Sequence, residues 1–336
     1  MFRKLIKPAL AAVAISASVM TPSVVLADAA KTLNFGIIST ESSQNLRTIW
    51  NPFLEDMGKK LGVKVKAFFA PDYAGIIEGM RFDKVDVAWF GNKSAMEAVD
   101  RAGGEIFAQT VDVEGNPGYW SLLVTHKDSK INSVEDMLKH AKDLTFGNGD
   151  PNSTSGFLVP SYYVFAKNNV DPKKAFKRVL NSNHQTNLLA AANKQVDVAT
   201  NNTENYRRLE VTHPDKVKNI KIIWKSPLIP SDPIVWRKNL DEGVKGKLYD
   251  FFMTYGTQNA KEKKVLADLQ WAPFSASSDD QLIPIRQLVL FKKRVKLQAS
   301  NMSVSEKEAK IAEIDHQLNV LKRRSAALQA FAAKNS

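Results

Sequence analysis

Three consecutive hydroxyls, Ser153, Thr154 and Ser155, lie in the run Gly149-Asp150-Pro151-Asn152-Ser153-Thr154-Ser155-Gly156. The run follows a strand-like segment, Leu144 to Gly147, and precedes a helix-like one, Phe157 to Ala166. The first amides of a helix have no partner within it, and the macrodipole adds partial positive charge there. Hydroxyls at that point either cap the helix or join the amides in gripping an anion. Three in a row between glycines favour the anion site, provided that other residues converge on it.

Several residues are placed to do so. His184, in Asn181-Ser182-Asn183-His184-Gln185-Thr186-Asn187, sits in a loop between a strand and a helix, where its ring can donate to an oxyanion. Tyr73 occupies a strand-to-helix turn in the first half of the chain and offers a phenol donor from the opposite side. Glu204 and Asp232 are acids beside an anion site, which makes sense only for a ligand with a second, cationic end. Trp89, Phe90, Tyr119 and Trp120 are suited to wall that end by apolar contact or cation–π attraction.

Catalytic alternatives find little support. The histidines, 126, 140, 184, 213 and 316, include no pair at metal-ligand spacing on a helix. There is no HExxH, no Gly-x-Ser-x-Gly elbow and no Walker sequence. A nucleophilic Ser153 or Ser155 would have only His184 as its base. Neither a cofactor nor a metal is implied.

The elements that must position these residues show an internal echo. Val85-Asp86-Val87-Ala88 recurs as Val196-Asp197-Val198-Ala199, each after a short amphipathic helix, Ala74 to Arg81 and Thr186 to Lys194. Two related α/β lobes are expected, with ligand bound beyond the carboxyl ends of their strands. The chain opens with an apolar strand, Leu33 to Ile38, a helix pattern through Leu46, Ile49, Trp50, Phe53, Leu54 and Met57, and a strand at Val63 to Phe69. Tyr119 to Thr125 reads as a strand leaving the first lobe, and the proline-rich Pro227 to Pro233 as the return crossing. The expected division is lobe 1 at 28–125 and 226–300, lobe 2 at 126–225, and a C-terminal helix at 301–336. The two crossings form a two-strand hinge about which the lobes close. Ile311, Ile314, Leu318, Leu321 and Leu328 make a heptad-like stripe on the last helix. It suits either packing onto its own lobe or a homodimer through the C-terminal helix.

Bulk properties bound the setting. Arg3, Lys4 and Lys7 precede an apolar run from Ala9 to Met20 and a small-residue cleavage site at Val25-Leu26-Ala27. This predicts a signal peptide over 1–27 and export. The 336 residues contain no cysteine, so a hydrophobic core rather than disulfides must hold the fold. The formal charge of +12 falls to +9 without the three leader cations. Residues 291–336 carry ten Lys/Arg against four Asp/Glu, a solvated helical surface rather than a nucleic-acid arm.

The runs Leu33 to Ser42, Phe68 to Gly75, Phe146 to Phe157 and Ser226 to Trp236 resemble the phosphonate-binding protein of bacterial phosphonate ABC importers. The resemblance covers nearly the whole mature chain. It implies a type II periplasmic-binding-protein fold that closes on an alkylphosphonate and delivers it to a membrane permease. Carried over, the phosphonate grip falls on Tyr73, Ser153, Thr154, Ser155 and His184, and the aminoalkyl grip on Glu204 and Asp232, with Tyr119 as a wall. Phe90 stands where close relatives are expected to carry tyrosine. The reading is therefore a periplasmic, non-catalytic receptor that favours 2-aminoethylphosphonate. Receptors for phosphite, phosphate or a phosphate ester are the nearest alternative, and a scaffolding role through the last helix is a further one.

Overall fold

The structure is a computed structural model that describes residues 32–335. The predicted leader lies outside the described residues. The chain runs β1 (Thr32–Ile37), α1 (Ser43–Leu61), β2 (Lys64–Phe69), α2 (Tyr73–Arg81), β3 (Val87–Trp89), α3 (Asn92–Arg101), β4 (Gly104–Asp112) and β5 (Gly118–Tyr119). Next come β6 (Ser121–His126), α4 (Val134–Lys139) and β7 (Thr145–Gly149), then two π-helical stretches, Thr154–Leu158 and Ser161–Phe165. They are followed by α5 (Pro172–Ala175), β8 (Arg178–Ser182), α6 (His184–Ala192), β9 (Val198–Asn202), α7 (Thr203–Thr212), α8 (Pro214–Val217) and β10 (Ile220–Lys225). The chain ends with β11 (Ile229–Pro230), β12 (Pro233–Arg237), α9 (Glu242–Thr254), α10 (Ala260–Asp268), β13 (Trp271–Ala276), α11 (Ile283–Gln298) and α12 (Val304–Asn335).

Two mixed sheets result, ordered β13-β4-β12-β3-β1-β2 and β10-β6-β9-β7-β8. The triplets β2-β1-β3 and β8-β7-β9 are both parallel and correspond strand for strand. The echoed aspartates explain the correspondence. Asp86 accepts the Asn34 amide at 2.8 Å and donates its own amide to the Asn34 carbonyl. Asp197 does the same to Thr145, with its carboxylate at 2.7 Å. Each aspartate pins the first half of the middle strand of its parallel triplet, β1 or β7. The echo thus marks the entry to a strand, with β3 and β9 beginning at its third residue.

Phe35 and Ile37 of β1 are fully buried, as an apolar strand covered on both faces must be. Around them Trp50, Phe53, Tyr255 and Trp271 form an aromatic core, with Phe53 edge-on to Tyr255 at 5.2 Å. The second sheet has a smaller core of Phe146, Phe165 and Phe176. Two expected boundaries shift. Ser121 to Thr125 belong to β6, a strand of the second sheet, so the first crossing lies ahead of residue 121 rather than at 125. The helix expected from Phe157 begins at Thr154 and winds with i→i+5 bonds, such as Leu158 N to Ser153 O at 3.1 Å.

The crossings meet as a short ladder, β5 with β11. A Cβ on Gly118 would lie 2.0 Å from the Ile229 carbonyl oxygen, so this approach admits only glycine. The last two helices pack antiparallel, with Arg294 paired to Asp315 and Arg324 to Asp280. Ile314 is buried and Ile311, Leu318 and Leu321 are half-buried, while Leu328 is exposed. The first part of the stripe therefore packs within its own chain. No described helix is long and apolar enough to cross a membrane.

Candidate functional site

Helix heads from both lobes converge on one cavity. Gly149 ends β7 against the backbone of Gly156, where a Cβ would come within 2.5 Å of the Gly156 carbonyl carbon. This contact turns the chain back so that Ser153, Thr154 and Ser155 face the cleft. Ser153 caps the π-helical turn, its Oγ accepting the Gly156 amide at 2.9 Å. Thr154 Oγ1 accepts the Lys93 amide, at the head of α3 in the other lobe, at 2.8 Å. Widened helical turns of this kind recur at functional sites.

His184 is the first residue of α6, not a loop residue, and Asn183 caps that helix. Its Nε2 lies 3.4 Å from Ser153 Oγ, from Ser155 Oγ and from Asn202 Nδ2. Burial lowers its pKa to about 4, so the ring is neutral near neutral pH. Tyr73 heads α2, and its amide donates to Asp150 Oδ2 at 3.2 Å across the cleft. Burial, then the charges of Asp150 and Asp232, hold its phenol well above the usual range.

The acids occupy the same cavity. Asp232 is 5% exposed and accepts the Tyr119 hydroxyl at 2.8 Å, with Asn92 Nδ2 at 3.5 Å. Burial and the charge of Glu204 raise its pKa well above the ordinary carboxylate range. Glu204, in the first turn of α7, is raised to about 7 by burial despite the opposing pull of Arg208. The Trp89 indole N–H, also in the cavity, acts on the Asp232 carboxylate and opposes part of the rise that burial imposes on it.

All eight expected residues, Tyr73, Tyr119, Ser153, Thr154, Ser155, His184, Glu204 and Asp232, line this cavity of about 40 Å³, together with Trp89. Phe90 and Trp120 do not. Phe90 is fully buried in the core, and the Trp120 ring is covered by Lys225 Nζ at 3.9 Å. Asn202, in the polar run that trails the second echo, also lines the cavity, as do Trp50, Trp271, Glu41, Asn205 and Arg208, which carry no such mark in the sequence. The polar Asn201-Asn202-Thr203 run at the end of the second echo strand was the one available signal. Among the described residues no group of three His, Cys, Asp or Glu is placed to hold a metal ion.

The cleft is closed. Arg208 Nε reaches Glu41 at 3.1 Å, Arg207 pairs with Asp112 at 2.6 Å, and the Gln185 amide reaches the Thr40 carbonyl at 3.3 Å. The arrangement is a chamber that brings three hydroxyls, helix heads and two carboxylates together. It suits a small molecule that is anionic at one end and cationic at the other.

The family described as ABC transporter, phosphonate, periplasmic substrate-binding protein matches residues 35–282. The chain is 64% identical over 304 residues to the phosphonates-binding periplasmic protein of Escherichia coli, covering 90% of this chain and 89% of that one. It is 30% identical over 232 residues to the phosphate-import protein PhnD of Mycolicibacterium smegmatis, covering 66% and 71% of the two chains. A crystal structure of a binding protein component of an ABC phosphonate transporter from Pseudomonas aeruginosa superimposes with a TM-score of 0.88 at 67% identity, covering 89% of this chain and 99% of that one.

Proposed function

The chain belongs to the periplasmic phosphonate-binding family of ABC transporters, and from that premise we propose that its cleft selects phosphonates with a cationic tail, 2-aminoethylphosphonate foremost. A receptor of this family binds its ligand without transforming it. Ser153, Thr154, Ser155, Tyr73 and His184 hold the phosphonate oxygens, Glu204 and Asp232 hold the ammonium, and Tyr119 orients Asp232 through its hydroxyl. The observation that carries the reading is the pair of carboxylates enclosed in the same chamber as the three hydroxyls.

The lobes close on the ligand about the ladder of β5 and β11, and the closed form is presented to a membrane permease. Lobe 1 comprises residues up to about 120 together with 226–300, lobe 2 the stretch between, and residues 301–336 the C-terminal helix. Residues 1–27 are removed on export. The exposed far end of α12 is offered to a second copy of the chain, which sizing with and without residues 303–336 would test.

A phosphate receptor is the competing reading, favoured by the phosphate-import relative at 30% identity. Inorganic phosphate has no cation for Glu204 and Asp232, and enclosing both acids against it would be costly. Calorimetry with 2-aminoethylphosphonate, methylphosphonate, phosphite and phosphate separates the two. Glu204→Ala is expected to weaken the aminated ligand by roughly ten- to a hundredfold, the value of one hydrogen bond to a charged group. Equal losses for methylphosphonate would remove Glu204 from the tail site.

A further inference from the structure

The cavity holds polar atoms that the reading above leaves unused. Asn205 is buried, and neither Oδ1 nor Nδ2 of its side chain has a hydrogen-bond partner among the described residues. Its backbone amide is tied to Asn202 Oδ1 at 2.7 Å, which fixes the side chain's root. Arg208, one turn along α7, spends Nε on Glu41 at 3.1 Å and Nη2 on the Leu269 carbonyl at 3.3 Å. Its Nη1 is buried without a partner. Both residues line the same chamber as Glu204 and Asp232.

A buried amide with neither end satisfied is costly, and native structures keep few of them. Among the unused atoms are two donors, Asn205 Nδ2 and Arg208 Nη1, and one acceptor, Asn205 Oδ1, in the same chamber as a pair of acids. Donors of this kind, one of them a guanidinium, suit a carboxylate. The acids suit an ammonium. A ligand that brings both charges together on one carbon is an amino acid. We propose that Asn205 and Arg208 form a subsite for a carboxylate on the ammonium-bearing carbon of the tail. The receptor then takes phosphonate-bearing amino acids, such as 2-amino-3-phosphonopropionate, as well as simple aminoalkylphosphonates. This rests on the phosphonate reading and extends it.

The test is calorimetry of the full mature chain with 2-aminoethylphosphonate, 2-amino-3-phosphonopropionate and methylphosphonate. Asn205→Asp keeps the side chain's shape and exchanges its donor for a charge that repels a carboxylate. The wild type is expected to bind the carboxylated ligand within about tenfold of the simple amine. Asn205→Asp is expected to lower the ratio of the two affinities at least about tenfold. Asn205→Leu, which removes the donor without adding charge, should lower it less. Because the readout is a ratio from one preparation, partial unfolding does not mimic it. Tight binding of 2-aminoethylphosphonate with the carboxylated ligand more than about a hundredfold weaker would overturn the subsite alone, as would a ratio unmoved by Asn205→Asp. Failure of all three phosphonates to bind the wild type would overturn the phosphonate reading and the subsite together.

Discussion

If Glu204 holds the ligand's ammonium as proposed, lowering the pH should strip the receptor of any preference for aminated ligands. Burial raises Glu204 to about 7, so its carboxylate is mostly ionised at pH 8 and mostly neutral at pH 5.5. With that pKa the ionised fraction falls from about 90% to about 3%, a drop of roughly thirtyfold. An ammonium gains its full attraction only from the ionised form. The affinity for 2-aminoethylphosphonate relative to ethylphosphonate should therefore fall roughly thirtyfold over this range. Taking the ratio largely cancels the titration of the phosphonate group and of His184, which both ligands share. Asp232 is raised in the same direction, by burial and then by the charge of Glu204. The measurement is paired calorimetric titration at half-unit pH steps, repeated on Glu204→Gln, whose ratio should be lower at pH 8 and should fall less steeply than that of the wild type. A wild-type ratio that stays constant from pH 8 to 5.5 would refute the assignment of Glu204 to the ammonium.

Three other outcomes follow from the geometry. Thr154→Ala removes the acceptor of the Lys93 amide and one hydroxyl from the anion end, so it should weaken every phosphonate by about tenfold or more with no dependence on the tail, as calorimetry will read. The folded-state pKa of His184 lies below its unfolded value, so its contribution to stability is complete above pH 6.5 and is lost as pH falls toward about 4. Urea unfolding of the ligand-free protein should show a loss approaching about 3 kcal/mol over that window, and His184→Asn should reduce the slope. Gly149→Ala sets a methyl 2.5 Å from the Gly156 backbone and should lower both Tm and affinity, whereas Gly246→Ala, in open space on α9, should raise Tm.

Much of the site was legible because helix heads and strand ends carry their own chemical signals. The hydroxyl run after β7, Tyr73 after β2 and His184 after β8 each follow a strand that apolar patterning reveals. Glu204 was legible by its place after the second echo. The other cavity residues were hidden for a physical reason. Glu41 and Arg208 are polar residues that meet each other across the two lobes, a pairing that neither lobe's own sequence pattern displays. The strand at Ser121 shows a different limit. Its composition marks it as a strand, but Leu122 and Val124 would pack equally well in either sheet. Pairing with β9 and β10 decides the matter, and that is a long-range choice. The π winding after Ser153 has no propensity signal; it shows only once the carbonyls of Ser153 and Thr154 are seen to accept from five residues on.

One feature of α7 bears on kinetics. The helix that in the proposed reading presents Glu204 to the ligand's tail also carries Arg207 and Arg208, which fasten it to Asp112, Glu114 and Glu41 of the other lobe. Tail reading and latching are thus borne by one rigid part. A ligand with the right anion but no tail enters the open cleft as quickly as the correct one. It then leaves Glu204 and Asp232 uncompensated beside the latch, so the door is held less firmly and reopens sooner. On that reading selectivity would be expressed as dwell time, which would let the receptor discard poor ligands before it meets the transporter.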